Sequence, residues 1–246
     1  MKDVLNVSQL QAASFPRLSN GHIHIWTVSL HASSDQIGYL RSVLSDSEQR
    51  KASYFNVDHA QHSYIVSQAV LRILLAAYLD SRPEDIVLGT KKKGKPFVIH
   101  KHPVFFNISN SNNLCAYAFS PDAEVGIDIE KIRDLPDIDQ LIERNLTNSE
   151  REYCLKIPGK KLSRFFQFWT FKESYLKAIG EGMRLTPENM EFSIENGEIR
   201  LVSVKYGFDS TDLCFKGFER EGSYTGTLTY SDKTAIIREI EVSNLV

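Results

Sequence analysis

The chain has 246 residues and a mass of 28.0 kDa, enough for one large domain or two of about 120 residues each. Hydrophobic residues make up 42% and charged residues 24%, which excludes wholesale disorder, a fibrous repeat and a membrane bundle. The 29 basic and 31 acidic side chains leave a net charge of -2, so we expect no nucleic-acid partner and no binding to anionic membranes. Any basic site must be local.

The cysteine pattern and the N-terminus favour a cytoplasmic protein. Cys115, Cys154 and Cys214 are widely spaced and form no CxxC pair, which predicts neither a disulfide framework nor a structural zinc site. The first 26 residues lack the continuous apolar core of a signal peptide. The most apolar stretch, residues 64–79, is interrupted by polar side chains, so we interpret it as a core helix.

The first half of the chain predicts helices and short strands. Residues 22–30 alternate as in a strand, and Asp46 opens a helical stretch. Residues 58–80 predict a long amphipathic helix that ends before the Arg-Pro dipeptide at 82–83. A basic turn and a strand follow at 91–100. Three short apolar runs then predict strands of an antiparallel or mixed sheet, at residues 105–108, 114–119 and 124–129.

The second half repeats this order of helices and strands. Its predicted elements lie at residues 139–156, 161–179, 192–194, 199–204, 225–230 and 234–242. The segment 180–182 contains two glycines and ends the second helix, and Asn196-Gly197 is a strong hairpin turn signal. Because each half offers a long helix and several strands, we predict an α+β protein of two lobes, residues 1–121 and 122–246.

The histidines give no clear site. His22 and His24 could share a strand face, and so could His100 and His102, but the sequence indicates no third metal ligand. We therefore interpret them as surface or strand-end residues. A Ser-His-Asp triad also finds little support, because there is no GxSxG motif.

Two carboxylates are more informative. Asp128 and Glu130 are two residues apart on a predicted strand, so both side chains point to one face. Their repulsion would reach about 4 kcal/mol at about 4 Å in partly buried surroundings. A divalent cation removes that conflict, and oxygen ligands suit Mg²⁺. The alternative is a solvated strand end that carries two charges.

A second acidic group lies on the last predicted helix. Glu173 and Lys177 are four residues apart in the order that favours an ion pair. The alternative is an exposed pair of little energetic value. The surrounding aromatic residues instead predict a largely buried helix, and buried charges of this kind commonly serve a ligand or catalysis. These aromatic residues are Phe165, Phe166, Phe168, Trp169 and Tyr175.

A cluster of lysines precedes the strand that begins near Pro96. It consists of Lys91, Lys92, Lys93 and Lys95. Such a run is usually a solvated loop. Beside a metal-carboxylate site, however, it would anchor a polyphosphate.

Between about residues 44 and 194 the chain resembles the 4′-phosphopantetheinyl transferases of the surfactin-synthetase-activating (Sfp-like) class. The motifs that carry the resemblance are Gly94-Lys95-Pro96-Phe97, Phe106-Asn107-Ile108-Ser109, Gly126-Ile127-Asp128-Ile129-Glu130, Trp169-Thr170-Phe171-Lys172-Glu173-Ser174-Tyr175-Leu176-Lys177-Ala178 and Gly180-Glu181-Gly182. The resemblance implies a pseudo-dimer of two α+β lobes with coenzyme A in the cleft between them. It also implies Mg²⁺-dependent transfer of the phosphopantetheine arm to a serine of an acyl or peptidyl carrier protein, with release of adenosine 3′,5′-bisphosphate.

The resemblance assigns roles to individual residues. Asp128, Glu130 and Glu173 would hold Mg²⁺, and Glu173 would also be the base for the carrier serine. Lys177 would steady charge on the pyrophosphate and the leaving group. The remaining assignments concern the phosphates or nucleotide of coenzyme A, which Lys51, Lys95 and Ser109 would contact. Class members are generally monomers, so we expect one here.

The chain departs from the class where the 3′-phosphate of coenzyme A is held. Asn110 replaces the histidine that normally follows the Phe-Asn-x-Ser motif, and Ser63 and Gln68 precede Arg72 on a helix that often carries arginine near its middle. A catalytically weakened binding protein of the same fold is therefore one alternative. A metal-dependent nuclease is another, although the net charge shows no basic face for nucleic acid.

Overall fold

The computed structural model describes residues 3–6, 15–180, 185–205 and 212–244. The helices are α1 (Ser34–Ser42), α2 (Asp46–Ser53), α3 (Asp58–Leu79), α4 (Ile138–Asn145), α5 (Asn148–Leu155) and α6 (Lys161–Ile179). The first strands are β1 (Asp3–Asn6), β2 (His22–Ser29), β3 (Leu88–Thr90), β4 (Pro96–Val98), β5 (Phe105–Ser111) and β6 (Leu114–Ser120). The later strands are β7 (Gly126–Lys131), β8 (Met190–Glu195), β9 (Glu198–Val204), β10 (Cys214–Arg220), β11 (Tyr224–Tyr230) and β12 (Ile236–Asn244).

The larger sheet is mixed, as the sequence predicted. Its strand order is β1-β12-β2-β6-β5, parallel from β1 to β2 and antiparallel from β2 to β5. One face packs on α3, with Trp26 and Tyr117 fully buried in that core. Helix α3 is long and apolar enough to cross a bilayer, but 67% of its most apolar window is buried inside the protein. Its apolar surface is therefore accounted for by the core.

The other face of the larger sheet packs on a second sheet, of order β10-β11-β7. Ile25 and Ala118 meet Ile127, Ile129 and Leu228 in this second core. Side chains alternate along β7, so Asp128 and Glu130 project from the opposite face, toward α6. The described part of the molecule thus forms four layers, in the order α3, larger sheet, smaller sheet, α6.

Helix α6 lies unusually close to the smaller sheet. A Cβ atom on Gly126 would overlap the backbone of Ser174 and Ala178. Two hydrogen-bonded pairs of hydroxyl groups extend this contact between the helix and the sheet. The Oγ1 atoms of Thr170 and Thr227 are 2.9 Å apart, and Ser174 Oγ lies 2.8 Å from Thr229 Oγ1. Small side chains therefore let the helix that carries Glu173 and Lys177 approach the strand that carries Asp128.

Polar side chains of β5 bond the free edge of β7. The side chains of alternate β5 residues accept hydrogen bonds from the backbone amides of alternate β7 residues. These bonds take the place of the backbone-to-backbone hydrogen bonds that would join two strands of one sheet. The bonds run from the amides of Ile127, Ile129 and Lys131 to Asn107, Ser109 and Ser111, at 2.9, 3.4 and 3.1 Å. This contact joins the edges of the two sheets next to the carboxylates.

Two expectations from the sequence were wrong. The single helix over 139–156 is two helices, because Thr147 and Glu150 form a capping box that begins α5. His24 is not at the surface: it is 1% exposed, and its Nδ1 lies 2.7 Å from the hydroxyl of Tyr78. Helix α1 and strands β1, β3 and β10 were not predicted from the sequence.

The predicted division near residue 121 stays a prediction, and so does the pseudo-dimer of two similar lobes. The long helix of each half packs on a sheet, but β12 comes from the predicted second lobe and lies between β1 and β2 in the larger sheet. Two predicted motif residues, Glu181 and Gly182, lie outside the described residues.

Candidate active site

A cleft of about 780 Å³ opens between the two halves of the chain. The first half contributes the β3–β4 turn and β5 through Lys93, Lys95, Pro96, Asn107 and Ile108. The second half contributes α4, α6 and the segment before β8 through Leu141, Arg144, Asn145, Trp169, Glu173, Leu176, Lys177, Gly180, Leu185, Thr186 and Pro187. The cleft thus brings Lys95, Glu173 and Lys177 together.

Asp128 is held by residues of two other elements. Its Oδ1 accepts hydrogen bonds from Ser109 Oγ at 2.8 Å and from Lys177 Nζ at 2.7 Å. Lys177 also donates to Ser109 Oγ at 2.9 Å. Lys177 therefore forms its ion pair across the layers with Asp128, where the sequence suggested a pair with Glu173 on the same helix.

Glu130 and Glu173 lie beside this cluster. Glu130 accepts a 2.6 Å hydrogen bond from Ser111 Oγ. Among the described residues, the carboxylate of Glu173 has no hydrogen-bond or ion-pair partner, although it interacts electrostatically with Asp128, Glu130 and Lys177. It lines the cleft and remains available to a bound molecule.

All three carboxyl groups have raised pKa values. Burial is the main cause for each, because the ionised form loses its hydration. The charge of Asp128 raises the pKa of Glu173 further, while Lys177 opposes the shift. For Asp128 the opposing effects are Lys177 and the hydroxyl of Ser109. The three carboxyl groups thus concentrate negative charge where it is poorly hydrated. A bound cation would stabilise that charge.

The donor set fits a hard cation. Asp128 Oδ2 is buried and has no hydrogen-bond partner within the described chain, and such an atom costs about 1–3 kcal/mol unless something binds it. Over the same residues, no group of three or more acidic, histidine or cysteine side chains forms a ready-made metal site. Mg²⁺ does not need one, because it commonly binds one or two carboxylates and completes its shell with water and substrate phosphates.

Lys95 is mostly occupied by the protein itself. Its ammonium is buried, donates to the carbonyls of Val125 and Ala178 at 2.9 and 3.2 Å, and pairs with Glu124 at 2.6 Å. Burial lowers its pKa, and Glu124 opposes that shift. Lys95 therefore ties the β3–β4 turn to the start of β7 and the end of α6.

Two predicted contacts lie elsewhere. Lys51 is on α2, where its ammonium sits 5.2 Å from the ring centre of Tyr64. Asn110 is exposed on β5, on the face opposite to Ser109. Neither residue lines the cleft. Ser109 is in the site, where it bonds Asp128 and Lys177, and its predicted contact with the nucleotide stays a prediction.

A buried ion pair that was not predicted from the sequence supports the far wall of the cleft. Lys172 Nζ pairs with Glu150 at 2.7 Å, and both side chains are fully buried. The signal was present in Thr147-x-x-Glu150, a capping-box pattern. Arg144 was missed as well: it was assigned to the middle of a longer helix, and it stands at the end of α4 on the cleft wall.

Two family models match the chain, one in each half. Residues 29–122 match the model "4′-phosphopantetheinyl transferase, N-terminal", and residues 124–229 match "4′-phosphopantetheinyl transferase superfamily". Among solved structures, a holo-(acyl-carrier-protein) synthase from Bacillus anthracis in complex with CoA (3′,5′-ADP) is 22% identical. That match covers 44% of this chain and 93% of the synthase, with a TM-score of 0.37.

Curated relatives are similar over most of the chain. 4′-Phosphopantetheinyl transferase gsp of Aneurinibacillus migulanus is 36% identical over 67% of this chain and 66% of its own length. HetI of Nostoc sp., another 4′-phosphopantetheinyl transferase, is 29% identical over 68% of this chain and 72% of its own length. The human L-aminoadipate-semialdehyde dehydrogenase-phosphopantetheinyl transferase is 29% identical over 74% of this chain and 62% of its own length. Together with the two family models, these matches confirm the enzyme class predicted from the sequence: the chain belongs to the 4′-phosphopantetheinyl transferase superfamily.

Proposed function

We propose that this protein is an Sfp-like enzyme that transfers 4′-phosphopantetheine from coenzyme A to a serine of an acyl or peptidyl carrier protein, with Mg²⁺. The observation that supports this most directly is the Asp128–Lys177–Ser109 cluster beside the unpartnered Glu173 in a cleft between the two halves. The proposal includes the pseudo-dimeric architecture implied by the resemblance. It also places the enzyme in the cytoplasm as a monomer, in keeping with its three free cysteines.

The reaction needs charge neutralisation and alignment more than a covalent nucleophile. The serine oxygen forms a bond to the phosphorus that carries the pantetheine arm, and the bond from that phosphorus to the oxygen of adenosine 3′,5′-bisphosphate breaks. Glu173 accepts the serine proton, directly or through water, and burial raises its pKa, which makes its carboxylate a stronger base. Lys177 stabilises negative charge on the phosphates.

Asp128, Glu130 and Glu173 are the residues that would hold Mg²⁺ in this proposal. The ion would neutralise the pyrophosphate of coenzyme A when bound. Ser109 and Ser111 orient the first two carboxylates through their 2.8 and 2.6 Å hydrogen bonds.

The carrier protein is proposed to dock on the β3–β4 hairpin. Leu88 and Val98 pack on the core, which leaves Val87, Phe97 and Ile99 on the outer face, 55%, 38% and 57% exposed. Exposed lysines lie at both ends of this face, Lys92 in the turn and Lys101 after the strand. The turn borders the cleft, so an acidic protein with an apolar centre would be held with its serine near the carboxylates.

Transfer is tested by incubating the protein with Mg²⁺, coenzyme A and a mixed set of apo carrier proteins, and reading intact masses. We expect one carrier to gain a phosphopantetheine group. A carrier or nucleotide that binds without any mass change would support the weakened binding protein instead, and cleavage of added nucleic acid would support the nuclease.

Asp128→Ala and Glu173→Ala should each lower the transfer rate by about 10²-fold or more, because the pyrophosphate charge is then poorly neutralised. Glu130→Ala should have a smaller effect, since water can replace one ligand of Mg²⁺. Glu198→Gln, on exposed β9, is the matched control and should leave the rate unchanged. Full activity of either alanine variant at saturating Mg²⁺ contradicts the assignment.

A further inference from the structure

A buried lysine joins the catalytic helix to the opposite wall of the cleft. Lys172 precedes Glu173 on α6, and its side chain is fully shielded from solvent. Its ammonium donates to Glu150 Oε2 at 2.7 Å and to three backbone carbonyls. These carbonyls belong to Asn145 at 3.0 Å, Pro187 at 2.9 Å and Met190 at 2.9 Å. An ammonium has three N–H donors, so the four acceptors use all of them.

Glu150 completes the network. Its Oε2 accepts a 2.8 Å hydrogen bond from the amide of Thr147, and its Oε1 accepts one of 2.8 Å from the amide of Phe192. Burial lowers the pKa of Lys172, and the charge of Glu150 opposes that shift. The pair is therefore fully hydrogen-bonded, the condition under which a buried ion pair is tolerated.

The carbonyls bound by Lys172 come from two stretches of the chain that are distant in sequence. Asn145 ends α4, Pro187 begins a short 3₁₀ helix, and Met190 begins β8. Asn145 and Pro187 line the cleft, next to Arg144 and Thr186. One ammonium thus fixes the position of this wall relative to the helix that carries Glu173 and Lys177.

We propose that Lys172 is a positioning residue that sets the width of the substrate cleft. It acts through the backbone of the wall and does not touch the reacting atoms. The ion pair with Glu150 neutralises the charge of Lys172. The hydrogen bonds from Lys172 to the carbonyls of Asn145 and Pro187 hold the cleft wall in place. The substrate named in the kinetic test, coenzyme A, rests on the proposed function; the positioning itself does not.

Two variants separate these roles. Lys172→Met removes all donors to the wall, and we expect it to raise KM for coenzyme A about tenfold. The value of kcat should stay within about threefold, because Asp128 is held by Ser109 and Lys177, neither of which bonds Lys172. Glu150→Gln removes the negative charge, keeps the shape and one of the two acceptor oxygens, and leaves Lys172 bonded to the three carbonyls. It should lower the free energy of unfolding but leave KM within about twofold of the wild type.

Amide hydrogen exchange supplies a readout that does not depend on activity. Relative to other core amides, those of residues 142–146 and 188–191 should exchange at least about tenfold faster in Lys172→Met than in the wild type. In Glu150→Gln they should change only as much as the other core amides do. If Lys172→Met does not fold, Lys172→Met/Glu150→Met removes both charges and should show the same rise in KM and exchange.

Three results overturn the proposal: an unchanged KM with unchanged exchange in Lys172→Met, equal effects of Lys172→Met and Glu150→Gln on KM, or restoration of wild-type KM in the double variant. A wild-type protein that transfers no phosphopantetheine would contradict the proposed function instead, and the exchange measurement would still decide the role of Lys172.

Discussion

At the scale of single residues, the chemistry of the site was predictable and the partners were not. Asp128, Glu173 and Lys177 were all expected in one site from their motifs. The expected pair along the helix, Glu173 with Lys177, is replaced by a 2.7 Å pair between Lys177 and Asp128. Spacing in the sequence shows which side chains can meet within an element, but a bond between elements depends on how they pack.

His24 provides a residue-scale prediction about pH. Burial, reinforced by Arg238 and His22, lowers its pKa from 6.5 to about 4. Between these two pH values the unfolded chain binds the proton and the folded protein does not, so stability rises with pH through this window. The contribution is complete above pH 6.5 and is lost as pH falls toward 4. It corresponds to about 2 kcal/mol between pH 7.5 and pH 5.

Urea unfolding of the wild type and of His24→Gln at pH 7.5, 6 and 5 checks this. The glutamine can still bond the hydroxyl of Tyr78 but does not titrate, so the wild type should lose about 2 kcal/mol more than the variant as pH falls to 5. Parallel curves for the two proteins would show that His24 is not buried in its neutral form.

Asn110 carries the second residue-scale prediction; it does not line the cleft, so this prediction rests on the family resemblance alone. A charged donor to a phosphate is about twice as strong as a neutral one, so a histidine here would gain about 1–2 kcal/mol toward the 3′-phosphate. Asn110→His should therefore lower KM for coenzyme A about 5- to 30-fold and leave KM for dephospho-coenzyme A nearly unchanged. An equal preference for the 3′-phosphate before and after the change would show that the phosphate binds elsewhere.

At the scale of elements, the close approach of β7 and α6 decides whether the site exists. Gly126 has no room for a side chain against Ser174 and Ala178, and both neighbours are backbone that cannot move away. Gly126→Ala should lower the free energy of unfolding by about 3 kcal/mol, because overpacking of a tight core is destabilising. Differential scanning calorimetry and urea unfolding measure this loss.

Gly38→Ala is the matched control for that substitution. Gly38 lies within α1, and no atom lies within 4 Å of an added Cβ. Alanine should stabilise the helix by up to about 1 kcal/mol. If Gly126→Ala and Gly38→Ala changed the free energy of unfolding equally, the contact between β7 and α6 would not be tight.

At the scale of the whole molecule, the net charge is only -2, but the lysines of the β3–β4 hairpin form a local basic surface. Because exposed charges are screened by salt, KM for the carrier protein should rise as salt increases from about 0.05 to 0.5 M. Lys92→Glu should raise KM at low salt, while Lys233→Glu, outside the cleft, should not. A carrier KM that does not change with salt contradicts the electrostatic part of the docking proposal.

Much of the architecture was predictable because it depends on local patterns. The periodicity of α6, the proline after α3 and the Asn-Gly turn between β8 and β9 each act within a few residues, and the observed boundaries of α6 agree with the predicted ones. The break between α4 and α5 was missed because the apolar period continues across it. The capping box that causes the break is secured by Lys172, a residue 22 positions further along the chain from Glu150.

The amino-acid sequence by itself determined the enzyme class and the mixed α/β character, and it singled out Asp128, Glu173 and Lys177, because these follow from residue types at short spacings. Only the tertiary structure decided that the last strand returns to the larger sheet, that Ser109 joins Asp128 to Lys177, and that Lys172 holds the cleft wall. Each of these contacts joins residues that are distant in the chain. Their formation depends on close packing between layers, which no local pattern specifies.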